Sequence, residues 1–190
     1  MVAALKRHAN RPIVHLGDVT LTGRETSERI SQYIQAFESL GAGRGSAGAL
    51  LALNRPEVLF ILGAGQTQGF RRTSLHPLGS VDDHVYVLED AEIEALIFDP
   101  IFAERAAALK ERVPSLRLLS LGPCDAADAD LIEVAAGFEP GPAVAVAHHL
   151  QVALACLVRD CQSCCGGCQP RRRFHHGHVD RVRALRAAKD

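Results

Sequence analysis

The sequence predicts an α/β fold in which a mainly parallel sheet is covered by helices. Between residues 49 and 138, short apolar runs with β-propensity alternate with longer segments of helical spacing. Strand and helix follow one another at the spacing of βαβ units, and such units generate parallel sheets. Two helix starts also carry capping sequences, one from Thr22 to Glu25 and one from Ser80 to Asp83.

The first unit is a β-hairpin followed by a helix. Residues 13–16 and 19–21 are β-prone runs separated by Gly17 and Asp18, which is a two-residue hairpin signal. A helix over residues 24–40 then presents one apolar stripe, and Gly41 stands where a left-handed C-cap is expected. The stripe consists of Ile30, Tyr33, Ile34, Phe37 and Leu40.

The remaining elements alternate between strand and helix. Pro56 fits the first turn of a helix, and Pro77 ends a short strand. We expect strands at residues 49–54, 71–78, 94–100 and 116–121, and helices at 55–70, 81–90, 101–114 and 130–138. In the helix over 101–114 the inward residues are Ala106, Leu109 and Val113.

Composition divides the chain near residue 147. The formal net charge of -1 provides no global field for nucleic acid or anionic lipid. Residues 148–190 nevertheless contain eight Lys and Arg against three Asp, together with five of the six cysteines and five of the nine histidines. We therefore predict an α/β domain over residues 1–147 and an irregular Cys/His/Arg-rich tail over residues 148–190.

No segment has the composition of a membrane span or a secretory signal. The first twelve residues, "MVAALKRHANRP", lack an apolar core, and the longest apolar run, residues 143–158, is interrupted by two histidines and a glutamine. We expect a cytoplasmic protein whose thiols are reduced.

A glycine-rich stretch over residues 43–48 matches G-x-G-x-x-G. A dinucleotide site needs a strand before this motif and a helix after it, whereas here a helix precedes and a strand follows. We interpret the stretch as a loop. The P-loop pattern G-x-x-x-x-G-K-[ST] is absent from the sequence.

The scattered polar residues of the α/β part suggest structural roles. His15, His76 and His84 are expected at the surface or at strand ends, and the pair Asp82 and Asp83 fits a helix start, where the dipole favours acids.

An acidic loop and one cysteine lie near the end of this part. Asp125, Asp128 and Asp130 lack the regular ligand spacing of a Ca²⁺ loop, and nothing near Cys124 would activate its thiol. No catalytic, cofactor-binding or metal-binding residue is predicted in this part.

The tail offers an alternative function as a zinc- or nucleic-acid-binding protein. Cys161 and Cys164 with His175 and His178 are the ligand types of tetrahedral zinc. The ten residues between Cys164 and His175, and the two between His175 and His178, are slightly fewer than a zinc finger has. The intervening residues 165–174 also lack the apolar side chains that a finger packs. The other thiols and imidazole of this stretch are Cys165, Cys168 and His176. Three arginines beside Phe174 could contact phosphates, although one aromatic residue is little for stacking, so nucleic acid is a weak expectation.

Three stretches in order resemble the start of the adenylate-forming acyl-CoA synthetases, the fatty-acid–CoA ligase family. They are "GDVTLTGRETSERISQYIQAFESLGAGRG", "ALLALNRPEVLFILGAGQTQGF" and "LHPLGSVDDHVYVLEDAEIEALIFDP". The resemblance covers about three-quarters of the chain and implies a partial N-terminal subdomain of the AMP-binding enzyme fold. It also implies ATP, Mg²⁺, CoA and a fatty acid as ligands of the full-length family, which forms an acyl-adenylate and then an acyl-CoA.

The family's phosphate loop, of the type S-G-T-T-G-x-P-K-G, matches no position of this sequence. In the family it follows shortly after the point reached at "GFEPGPAVAVA", where this chain continues with "HHLQVALACLVRD". No functional residue therefore carries over, and we expect a truncated ligase that is inactive as this chain alone. The missing portion is a candidate partner, if it is separately encoded.

The change of composition at residue 147 leads to a further hypothesis, that residues 148–190 are translated out of frame. The coding DNA would test it, because an alternative frame should encode a Ser/Thr/Gly-rich loop with Lys.

Overall fold

The computed structural model describes residues 1–144, and the predictions for the tail lie outside these residues. The first elements are helix α1 (Val2–Arg7), the antiparallel hairpin of β1 (Pro12–Leu16) and β2 (Val19–Thr22), and helix α2 (Gly23–Ser39). The hairpin and α2 were predicted, whereas α1 was not. Gly41 has φ 67°, which confirms the left-handed turn expected after α2.

An alternating series of strands and helices follows. The strands are β3 (Ala47–Leu51), β4 (Arg71–Ser74), β5 (Ala95–Phe98), β6 (Arg117–Ser120) and β7 (Ala129–Asp130). The helices are α3 (Pro56–Gln68), α4 (Val81–Asp90), α5 (Ala103–Arg112) and α6 (Leu131–Ala136), and a 3₁₀ turn, Pro100–Phe102, precedes α5. The predicted order is confirmed. β3 begins two residues earlier and ends three residues earlier than expected, and the two-residue strand β7 was not predicted.

The five strands form one parallel sheet in the order β4-β3-β5-β6-β7. Because successive side chains of a strand point to opposite faces, the central strands contribute to two apolar layers. On one face, Leu50, Ile97 and Leu119 pack in a cluster with residues of α2, α3 and α6. On the other face, Leu96, Phe98 and Leu118 pack in a cluster with residues of α4 and α5. The chain is therefore an α/β protein with helices on both sides of its sheet.

Both predicted capping boxes are present. At the start of α2, the Thr22 backbone N–H donates to Glu25 Oε2 at 2.8 Å, and the Glu25 N–H donates to Thr22 Oγ1. At the start of α4, the Asp83 N–H donates to Ser80 Oγ at 3.1 Å, while the Ser80 hydroxyl donates to Asp83 Oδ2 at 2.7 Å. These hydrogen bonds to the backbone and side chain of Thr22 lower the pKa of Glu25, and those to the side chain and backbone of Ser80 lower the pKa of Asp83.

The two caps predict a loss of stability in acid. A carboxyl group whose pKa is lower in the folded chain stabilises the fold above its unfolded pKa, and this contribution is lost as the pH falls through the folded value. The ordinary pKa values are 4.5 for Glu25 and 3.8 for Asp83, so the loss should occur below about pH 5. Urea unfolding from pH 7 to pH 3 should show a shallower decline in the double variant Glu25→Gln, Asp83→Asn than in the parent chain.

The exposed variant Glu89→Gln, on α4 but away from its cap, serves as the matched control and should follow the parent. Parallel pH profiles for the double variant and the parent would contradict the prediction.

Candidate functional site

A ligand site is expected at the carboxyl edge of the parallel sheet. Open α/β sheets bind ligands beyond the carboxyl ends of their strands, where the strand order reverses. Here the chain places β4 on one side of β3 and β5 on the other, so the order reverses between β3 and β5. Arg55 follows β3 and Asp99 follows β5, and both therefore lie at this point.

Arg55 is held by two carboxylates. Its Nε donates to Glu57 Oε2 at 2.8 Å, and its Nη1 lies 3.2 Å from Asp99 Oδ2. Burial acts to lower the pKa of Arg55, but the hydrogen bonds and negative charges of Glu57 and Asp99 outweigh it and raise the pKa. The guanidinium is thus permanently charged and engaged on both sides, and it links the loop after β3 to the loop after β5.

The buried phenol of Tyr33 interacts electrostatically with Arg55 and Glu57. Tyr33 of α2 is 4% exposed, its ring centroid is 5.8 Å from that of Phe60, and its hydroxyl has no hydrogen-bond partner among the described residues. Burial, assisted by the negative charge of Glu57, raises the pKa of Tyr33 well above its usual range, so the phenol stays neutral.

The chemistry available at this edge is structural. Arg55 uses its Nε and Nη1 to bind Glu57 and Asp99, and the two carboxylates outnumber its single positive charge, so the group is a poor match for an anionic phosphate. Sequence reasoning did not single out this network, although "NRPE" after one strand and "DP" after another were a readable signal, since polar residues at adjacent strand ends meet at one edge.

In the acidic loop before α6, the carboxylates accept hydrogen bonds from backbone N–H groups. Asp128 Oδ2 accepts from the Leu118 N–H at 2.7 Å. Asp130 Oδ1 accepts from the Gly122 N–H at 3.2 Å and from two backbone N–H groups in the first turn of α6. Both carboxylates thereby satisfy donors that would otherwise lack partners.

The glycine-rich stretch over residues 43–48 runs from the loop after α2 into the first two residues of β3. The order of helix and strand is therefore the reverse of a dinucleotide-binding unit, as the sequence indicated. An ideal Cβ on Gly48 would lie 2.3 Å from the ring of Phe70, so this glycine allows the aromatic ring to pack directly on β3.

His84 does not lie where it was expected. The sequence suggested a surface or strand-end histidine, but this residue is on α4 and is 3% exposed. Its Nε2 lies 2.9 Å from the carbonyl oxygen of His76, and Gly79 approaches so closely that an ideal Cβ there would lie 2.5 Å from Nε2. Burial follows from this local packing of the loop between β4 and α4, which no sequence period reveals.

The other predicted polar residues are exposed. His15 Nδ1 and Thr20 Oγ1 are 3.2 Å apart across the hairpin. At the start of α4, Asp83 completes the cap, while Asp82 forms a salt bridge of 3.0 Å with Arg112 of α5. The helix-start interpretation of this acidic pair is confirmed.

The described residues bring together no group of three or more His, Cys, Asp and Glu side chains able to hold a metal ion. Cys124 is a half-buried free thiol in the loop after β6. The cysteines and histidines at residues 161–178 lie outside the part of the chain that the structure describes.

Comparison with protein families identifies the fold. The family model described as AMP-binding enzyme matches residues 2–153. The chain belongs to the AMP-binding enzyme family. Its α/β part is the part of that fold predicted from the three resembling stretches.

One relative in the AMP-binding enzyme family is a medium/long-chain-fatty-acid–CoA ligase of Mycobacterium tuberculosis. The two sequences are 58% identical over 152 residues, which is 76% of this chain and 27% of the relative. The chain thus spans about a quarter of the length of the curated relative it matches.

Two solved structures have a similar fold. A benzoate CoA ligase from Burkholderia xenovorans is 18% identical with a TM-score of 0.64, over 77% of this chain and 30% of that one. An o-succinylbenzoate coenzyme A synthetase from Bacillus subtilis, in complex with ATP and magnesium ion, is 16% identical with a TM-score of 0.61, over 76% of this chain and 36% of that one. These likenesses concern the fold alone.

The relatives give no support to the alternative function as a zinc- or nucleic-acid-binding protein. The out-of-frame hypothesis for residues 148–190 stays a prediction. Within residues 1–144, no helix is long and apolar enough to cross a membrane.

Proposed function

We propose that this chain supplies the opening α/β unit of an ATP-dependent fatty-acid–CoA ligase. The observation that carries this proposal is the 58% identity over 152 residues with the mycobacterial ligase. The reaction class would be activation of a medium- or long-chain fatty acid as its adenylate, followed by transfer of the acyl group to CoA. We place it in the cytoplasm, as expected for an enzyme that draws on ATP and CoA.

Within such a ligase, the unit would act as a scaffold. Several charged groups of the described residues stabilise helix starts and loop links, as Arg55, Asp128 and Asp130 do. The remaining portion of the ligase would bind ATP, Mg²⁺, CoA and the fatty acid. That portion is the partner we propose, supplied on the same or on a separate polypeptide.

A chimera tests this proposal. Residues 1–144 would replace the aligned segment of the mycobacterial ligase, and formation of acyl-CoA would be measured with one medium-chain and one long-chain fatty acid. We expect thioester formation with both, because the two segments are 58% identical and protein cores tolerate apolar substitutions that keep volume and pattern.

The intact mycobacterial ligase is the positive control, and its remaining portion without any opening unit is the negative control. A chimera that melts cooperatively but forms neither adenylate nor thioester, beside an active intact ligase, would refute the proposal.

A further inference from the structure

A segment without helix or strand follows α6. Residues 138–143, called the strap below, read "FEPGPA" and are described as irregular backbone. Pro140 and Pro142 fix their own φ angles and restrict the residues before them, so the strap is stiff for its length. Its last residue, Ala143, is buried and belongs to the apolar cluster that contains residues of α2.

Three polar side chains of α2 bind the backbone of the strap. Gln32 Nε2 donates to the Phe138 carbonyl oxygen at 2.8 Å, and Gln35 Nε2 donates to the Glu139 carbonyl oxygen at 3.3 Å. Ser27 Oγ accepts from the Ala143 N–H at 3.0 Å. The start of the strap therefore lies by the later residues of α2 and its end by the earlier one, so the strap runs antiparallel to the helix over about 12 Å.

Gln32 is the most deeply buried of these three side chains. It is 6% exposed, and its Oε1 accepts from Arg29 Nη1 at 3.2 Å, which fixes the orientation of the amide. Burying an amide costs free energy unless both ends are paired, and an apolar residue would fill the same space without that condition. What the amide adds is direction, because its Nε2 is paired only when the Phe138 carbonyl oxygen lies within hydrogen-bond distance and near the line of an N–H bond.

We infer that Ser27, Gln32 and Gln35 are positioning residues that fix the path of the strap, the last segment of the α/β unit that the structure describes. The inference rests on the proposed function, since the path matters for catalysis where the rest of a ligase continues from it. In that setting, α2 sets the placement of the catalytic portion relative to the sheet without touching substrate.

The first experiment uses the 190-residue chain and does not depend on activity. Amide hydrogen exchange would be measured at Ala143 in the parent, in Ser27→Ala and in Ser31→Ala. Ser31 is the matched control, because it lies on α2 beside Gly141 while its hydroxyl makes no hydrogen bond to any of residues 1–144. We expect faster exchange at Ala143 in Ser27→Ala and the parent rate in Ser31→Ala. Equal rates in all three chains would overturn the inference.

The second experiment uses the chimera with the mycobacterial ligase. In the variant Ser27→Ala, Gln32→Leu, we expect kcat per folded molecule to fall about 10- to 100-fold, while KM for the fatty acid stays within about twofold, because a small misplacement of catalytic groups has effects of this size. Where that variant fails to fold, Ser27→Ala, Gln35→Leu carries the test with partly exposed side chains.

Comparison of kcat per folded molecule with the melting temperature distinguishes a positioning role of the α2 side chains from a merely stabilising one. A lower melting temperature with an unchanged kcat per folded molecule would mean that α2 merely stabilises the strap, and it would overturn the inference. An inactive parent chimera would refute the proposed function instead, and the inference about the strap's path would then be decided by the exchange experiment.

Discussion

Substitution of alanine for Gly23 should lower the free energy of unfolding by about 3 kcal/mol. Gly23 is the first residue of α2 and lies against the end of α1. An ideal Cβ there would lie 2.5 Å from the His8 carbonyl oxygen and 2.8 Å from that of Leu5. Both obstacles are backbone atoms, so relief requires α1 to move away from α2. Helix propensity alone would make alanine more stable than glycine here. A loss of stability would therefore indicate that Gly23 lies in close contact with the backbone at the end of α1.

Gly43→Ala is the matched control. Nothing lies within 4 Å of an ideal Cβ at Gly43, and its φ is not in the left-handed region. We expect that variant to change the free energy of unfolding by less than about 0.5 kcal/mol. Thermal unfolding should show a drop of about 6–12 °C for Gly23→Ala. Equal melting temperatures for the two variants would show that α1 does not pack on α2 as described.

The chain alone should release no pyrophosphate above background from ATP with CoA and a fatty acid. Forming an acyl-adenylate requires a grip on the triphosphate, which proteins usually build from a glycine-rich loop with a lysine. The three lysines of the sequence are Lys6, Lys110 and Lys189, and none lies in such a loop. Lys110 instead donates to the Leu116 carbonyl oxygen.

Local signals explain how much of the fold could be predicted. A capping box, a two-residue hairpin turn and a glycine after a helix each act within a few residues, so Thr22, Ser80 and Gly41 mark their helix ends without knowledge of the tertiary structure. The parallel sheet followed from the alternation of strand and helix. The short elements α1 and β7 were missed, since six and two residues are too few to show a period.

Contacts between distant residues explain what could not be predicted. Gln32 and Phe138 are 106 positions apart, and Ser27 and Ala143 are 116 apart, so neither hydrogen bond leaves a trace in the sequence. His84 is buried because Gly79 lets the preceding loop close over it. The link from Arg55 to Asp99 depends on two strands meeting in the sheet.

We propose above all that this chain is the scaffold part of a ligase and that catalysis needs the remaining portion. The most direct test measures fatty-acid-dependent exchange of pyrophosphate into ATP for the purified 190-residue chain and for the chimera, side by side at equal concentration. We predict exchange by the chimera and background counts for the chain. Exchange by the chain alone, proportional to its concentration and dependent on the fatty acid, would contradict the account.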